Sequence, residues 1–169
     1  MTLPLVLALV AAAVILSPIL VRAMDRAAGY PIAALFFAGA AVLGRHLGEV
    51  SDGSPLTWHR TWARDILGPG TGMEFALRAD GLSIFFALLA LVIGGVVMCY
   101  SAAYLPKHEG NTSFYTIMTA FTLSVLLLVL ANDVVLLFIG WELVSIASFL
   151  LIAHSGSSGE AGSYRTLIL

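Results

Sequence analysis

Apolar runs of about twenty residues recur along the chain, at 3–21, 30–47, 82–105, 114–131 and 134–153. A helix needs roughly 20 such residues to cross a hydrocarbon core about 30 Å thick. A soluble domain of 169 residues could not hide five such surfaces. Only 11% of the residues are charged, against roughly a quarter in ordinary soluble domains. Mean hydropathy is +0.99. The sequence therefore predicts an all-α integral membrane protein with five transmembrane helices and the start of a sixth.

Net charge is −2, and no basic run or basic–aromatic interleaving occurs, so nothing points to nucleic acid. The single cysteine, Cys99, lies in an apolar run and offers neither a disulfide framework nor a metal cluster. No nucleophile–base pair, metal-ligand spacing or phosphate-binding loop is present, which excludes a recognisable soluble enzyme site.

The first run, 3–21, is followed by Arg22, Asp25 and Arg26. A cleaved leader would carry its positive residues ahead of the apolar stretch, so a retained helix is expected. The second run is rich in alanine and glycine, with Pro31 near its start and Gly39 positioned to let a neighbouring helix approach. Residues 48–79 form the one long polar connection. Turn sequences stand at 52–54 (DGS) and 68–72 (GPGTG), and Met73, Phe75, Leu77 and Ala79 alternate with mostly polar neighbours. That period of two predicts a short strand and a small surface β-hairpin. Trp58 and Trp62 fit either an interfacial anchor or packing within this loop.

Asp80 is placed to cap the third helix and Asp133 the fifth. Residues 106–110 (PKHEG) read as a short polar turn and 154–162 (HSGSSGEAG) as a flexible loop. The closing YRTLIL (164–169) reads as a sixth helix just beginning. If the spans alternate, Arg22, Arg26, Lys107 and Arg165 share one side, and the 132–133 turn carries no Lys or Arg. The positive-inside rule then sets the N-terminus outside and the 48–79 loop external, in a cell (plasma) membrane.

The sharpest feature is Glu142 within FIGWELVSIASFLLIA (138–153), a run with no lysine or arginine. It lies ~12 Å along the helix from Val134, near mid-membrane. An ionised carboxylate there costs on the order of 3 kcal/mol on insertion scales, so it is either protonated or held in a polar pocket. A lone glutamate can act as interhelical glue, but at mid-bilayer an ion or proton pathway is the favoured reading. Ser145, three residues on, shares its face, and Ser148 is expected to extend that polar stripe. Gly140, Ala147 and Ser148 are small enough for another helix to pack closely. Trp141 is too central for an interfacial belt and is expected against a helix. Asp133 is read as a cap rather than a proton carrier. His108 and His154 are read as solvated loop residues that could feed protons from the cytoplasmic side. Tyr100, Ser101 and Tyr104 fit interfacial anchoring or the lining of an access path.

RADGLSIFFALL (78–89), YSAAYL (100–105), FYTIMTAF (114–121) and ANDVVLLFIGWELVSIASFLLIA (131–153) together resemble a known family. It comprises the antiporter-like subunits of respiratory complex I and of the Mrp cation/proton antiporters. The resemblance runs over about 74–169, and the WELVSIASFLLI wording is closer to the Mrp A subunit. It implies that Glu142 belongs to a proton-translocating site and pairs with a lysine on a seventh helix. It also implies a multi-subunit complex exchanging sodium or another monovalent cation for protons, without a redox cofactor. Family members carry about fourteen or more helices, so residue 169 falls short of the lysine helix. The chain is expected to hold half of that site.

The chain then divides into helices one and two (1–47), the external loop (48–79) and the beginning of the proton-translocating module (80–169). Expected partners are other Mrp-type membrane subunits, the lipid bilayer, protons and monovalent cations. Two alternatives stay open: the proton-pumping arm of a quinone-reducing complex, and a non-transporting scaffold that aids assembly.

Overall fold

The computed structural model describes residues 2–64, 72–105 and 111–166, without the side chains of 62–64, 72–74 and 155–166. Helix α1 spans Thr2–Met24, a 3-10 corner Asp25–Ala28, α2 Gly29–Gly44, and a single turn α3 Leu47–Ser51. Two strands follow, β1 Leu56–Arg64 and β2 Gly72–Ala79, then α4 Gly81–Tyr104, α5 Asn111–Leu130 and α6 Val134–Thr166.

Helix α1 contains Pro18, which has no N–H to give the carbonyl four residues back. Ser17 repairs that loss: its hydroxyl donates to the Val14 carbonyl at 2.9 Å. A buried carbonyl in an apolar helix needs such a donor, because no lipid group can supply one. The chain then turns at Asp25, whose φ of 51° lies in the left-handed region. Aspartate is among the few non-glycine residues that visit this region readily. Helix α2 runs back along α1, so that Thr2 Oγ1 and His46 Nε2 come within 3.0 Å.

The bundle packs α2 against α4, α1 against α5, and α5 against α6. Ile32, Phe36 and Leu43 of α2 meet a core that includes Ile84, Leu91 and Met98 of α4 and Tyr115, Leu126 and Leu130 of α5. Gly140 lets α6 lie directly on α5: a Cβ there would stand 2.9 Å from both the N and the Cα of Leu128. Tyr115 is fully buried and donates its hydroxyl to the Arg26 carbonyl at 2.8 Å, fastening α5 to the corner.

The expected β-hairpin is present. β1 and β2 pair antiparallel with Leu56 opposite Ala79 and Arg60 opposite Phe75, and the register shifts between Thr61 and Ala63. Trp58 is half-buried and meets Phe75 edge-to-face at 6.0 Å, which favours packing within the loop as its role. The Trp62 side chain lies outside the described residues, as do 68–71 of the GPGTG turn. The hairpin is joined to the bundle by its second strand: the Asn132 amide donates to the Ala76 carbonyl at 2.9 Å, and Leu77 bridges Ala131. Thr2, His46, the hairpin and the 131–133 turn thus gather at one end. The Asp25–Ala28 corner and Asn111 stand at the other.

The protein is a multi-pass membrane protein. Four helical stretches among the described residues are long and apolar enough to cross a bilayer: Thr2–Gly44, Gly81–Tyr104, Asn111–Leu130 and Val134–His154. The first of these contains both α1 and α2. α2 alone has 16 residues, about 24 Å of rise, a few ångströms short of the hydrocarbon core. Among the described residues the predicted break is not found, and 167–169 of the predicted sixth helix lie outside them. α6 continues helically from Val134 to Thr166, through the stretch predicted as a flexible loop. That stretch contains no proline, and its serines and glycines each cost only about 0.5–1 kcal/mol relative to alanine. Once the preceding turns are formed, extending the helix is easier than breaking it.

Candidate functional site

Helix α6 begins on Asp133, whose carboxylate accepts from the Val135 amide at 2.9 Å and the Leu136 amide at 3.2 Å. Its role as a cap is therefore met directly. Beyond it the helix turns one face to α5: Leu136, Gly140 and Ala147 are buried and Val144, Ser148 and Leu151 half-buried. At about 100° per residue these positions lie within a single stripe.

Glu142 is two residues from the centre of that stripe and so lies roughly opposite it. Its side chain is exposed in this chain, and it makes no hydrogen bond or ion pair among the described residues. Around it stand Phe138 at 61%, Ile146 at 52% and Phe149 at 70% exposure, together with exposed Ser145. The site is thus a carboxylate amid apolar side chains on the side of α6 that no other described element covers.

The predicted stripe of Glu142, Ser145 and Ser148 is only partly assembled. Ser145 is beside Glu142, but its hydroxyl donates to the Trp141 carbonyl at 3.1 Å. Ser148 lies about 120° round the helix from Glu142 and is half-buried toward α5. The expectation that it continues the stripe is corrected: six residues carry a helix well past the starting face. Trp141, expected against a helix, is 61% exposed. The small residues Gly140 and Ala147 do admit a neighbour, and that neighbour is α5, on the side away from the carboxylate.

His108 and Lys107 lie outside the described residues. His154 is half-buried at the end of the apolar part of α6. Tyr100 and Tyr104 stack at 5.3 Å and 15° and are exposed, as interfacial anchors would be, while Ser101 is buried inside the bundle. A second polar group, which sequence reasoning misses, stands at the α1–α5 contact. Ser17 and Thr116 share a hydrogen bond at 2.9 Å, and Asn111 Nδ2 donates to Asp25 Oδ1 at 3.0 Å. The signal that could find it is Ser17 itself, a hydroxyl next to a proline in an otherwise apolar run.

Known proteins match parts of this chain. A family profile described as NADH-Ubiquinone oxidoreductase (complex I), chain 5 N-terminus, matches residues 68–115, ending ahead of Glu142. The Na(+)/H(+) antiporter A1 subunit of Staphylococcus haemolyticus is 40% identical over 103 residues, 60% of this chain and 13% of that protein. The same-named protein of Staphylococcus aureus is 39% identical over the same length and shares. A chain in the solved structure of the Mrp complex from Dietzia sp. DQ12-45-1b superposes with a TM-score of 0.76 at 37% identity. That superposition covers 90% of this chain and 16% of the Dietzia chain, so it reaches into the α1–α2 region as well.

The chain is similar to Mrp-type antiporter A subunits. Its relationship to the complex I antiporter-like subunits is shown by the 68–115 match. The chain spans 13% of the length of the two staphylococcal relatives. Within that part, the α4–α6 bundle and the hairpin are the elements that set the position of Glu142.

Proposed function

We propose that this chain contributes to a multi-subunit Mrp-type antiporter exchanging Na+ or another monovalent cation for protons, with Glu142 as a mid-membrane proton carrier. The observation that carries this reading is the placement of Glu142: mid-span on α6, on the uncovered side, with no basic neighbour among the described residues. An acid in that position calls for a partner from outside this bundle, since a polar group among phenylalanines and isoleucines in lipid is costly without one. A lysine-bearing helix seated against the open face of α6 meets that requirement. The staphylococcal relatives are named for Na+/H+ antiport, which supports the choice of ions.

In this reading α1 and α2 cross separately, giving five crossings in all. Their antiparallel packing and the Thr2–His46 contact support the count. The N-terminus and the hairpin then face outward, and the Arg22–Arg26 corner faces the cytoplasm, across the plasma membrane. The chain works as part of a transporter, not as an enzyme.

Glu142→Gln in the complete complex tests the proposal. Everted vesicles carrying the variant should show no Na+-driven collapse of a preformed pH gradient, while the complex is recovered in normal amount. Normal exchange overturns it. Loss of the complex together with activity would favour a scaffolding role instead. The complex I profile match supports one second reading, a proton-pumping arm driven by quinone reduction. Co-purification with iron–sulfur dehydrogenase subunits would decide for it.

A further inference from the structure

We infer that the uncovered face of α1, at its Arg22 end, binds an anionic glycerophospholipid, with the phosphate on Arg22 and Arg26 and an acyl chain along Ile15 and Ile19. The inference does not depend on the transport reading; it needs the outward face of α1 to border lipid in the complete complex.

Helix α1 buries Val6, Val10, Ala13, Ser17 and Val21 against the bundle. Ile15 and Ile19 point elsewhere and are 71% and 59% exposed. Arg22 lies roughly 20° round the helix from Ile15 and 60° from Ile19, so the three share one outward face. The rise from Thr2 to Arg22 is about 30 Å, the thickness of the hydrocarbon core, which sets Arg22 at headgroup level. Ile19 and Ile15 are then about 5 and 10 Å deeper, alongside acyl chains.

Both guanidinium groups are exposed, and neither has an ion pair or hydrogen bond among the described residues. The carboxylate between them in sequence, Asp25, has one oxygen occupied by Asn111 of α5. Tyr115 holds the Arg26 backbone inward through its carbonyl while the Arg26 side chain remains exposed. The corner thus presents Arg22 above an apolar strip, with Arg26 exposed in the turn that follows; with the Asp25 carboxylate the three groups sum to one positive charge, which matches a single phosphate diester above an acyl chain. Guanidinium favours phosphate oxygens through paired hydrogen bonds. A lipid with net negative charge gains over a zwitterionic one, because choline would bring a third cation to the corner.

The test uses the complete complex, purified in mild detergent, stripped of lipid, and offered dioleoyl-phosphatidylglycerol or dioleoyl-phosphatidylcholine. Bound lipid is counted by native mass spectrometry. The wild type should retain phosphatidylglycerol over phosphatidylcholine. Arg22→Gln and Arg26→Gln should each weaken retention about fivefold, and the pair about 25-fold. Arg22→Lys should keep most of it, and millimolar inorganic phosphate should not displace it. Equal retention of the two lipids by the wild type overturns the inference without recourse to any variant. So does a double variant that holds as much phosphatidylglycerol as the wild type. Displacement by inorganic phosphate would also overturn it, marking a soluble-anion site instead.

Discussion

Gly140 and Glu142 are two residues apart on α6 and look in opposite directions. Gly140 meets the Leu128 backbone across the α5 interface, and Glu142 is exposed on the far side. One helix therefore serves as a wall of this bundle and, in the proposed reading, as the surface against which a partner completes the site.

Gly140→Ala tests the first role. The added Cβ would stand 2.9 Å from two backbone atoms that no side-chain rotation can move. The helices must separate, at about 1–3 kcal/mol. Thermal melting of the purified complex should fall by several degrees, and an unchanged midpoint would mean that α5 and α6 are not in this contact in the assembly.

Glu142→Asp tests the second. Aspartate keeps the acid and withdraws it by one methylene. Antiport should persist at a reduced rate, in contrast to the glutamine variant. Equal, complete loss in both would show that reach, not proton exchange alone, decides the site; full activity in both would remove the carboxylate from the mechanism.

The corner at Asp25 makes a separate prediction. Asp25→Ala and Asp25→Gly both lose the hydrogen bond from Asn111. Only glycine accepts a φ of 51° without a Cβ clash. The glycine variant should be more stable than the alanine variant by about 1 kcal/mol. Denaturation of the two proteins side by side reads that difference, and the reverse order would contradict the left-handed corner.

Asp80 gives a pH-dependent effect outside the spans. The Ser83 amide, 2.9 Å from its carboxylate, holds this group below the ordinary aspartate value. A carboxyl lowered on folding contributes stability above its unfolded pKa and loses it as pH falls through the folded value. The stability gap between wild type and Asp80→Ala should therefore be constant near neutrality and shrink in acid. A gap that does not change between neutral and strongly acidic pH would show that the charge on the cap contributes nothing.

Much of this architecture is legible from local chemistry. The spans follow from runs of apolar residues, and Asp80 and Asp133 from the short side-chain oxygens that helix starts require. The hairpin follows from alternation at 73–79. Orientation about each helix axis is not legible in the same way. Spacing puts Ser145 beside Glu142 and Ser148 about 120° away, but only the seat of Gly140 on Leu128 shows which way α6 is turned. The corner at Asp25 is hidden for a different reason: no glycine or proline occupies the turning residue. The continuity of α6 past His154 is masked by serines and glycines, whose turn preference is weaker than the advantage of extending a helix already formed.

The hydrogen bond from Asn132 to Ala76 has a mechanical consequence. The short link between α5 and α6 is also the edge partner of a surface ribbon, so a load applied to that ribbon from outside the bilayer reaches the first turn of α6 through the main chain. The lever arm then ends at the acid itself, two and a half turns down a rigid rod.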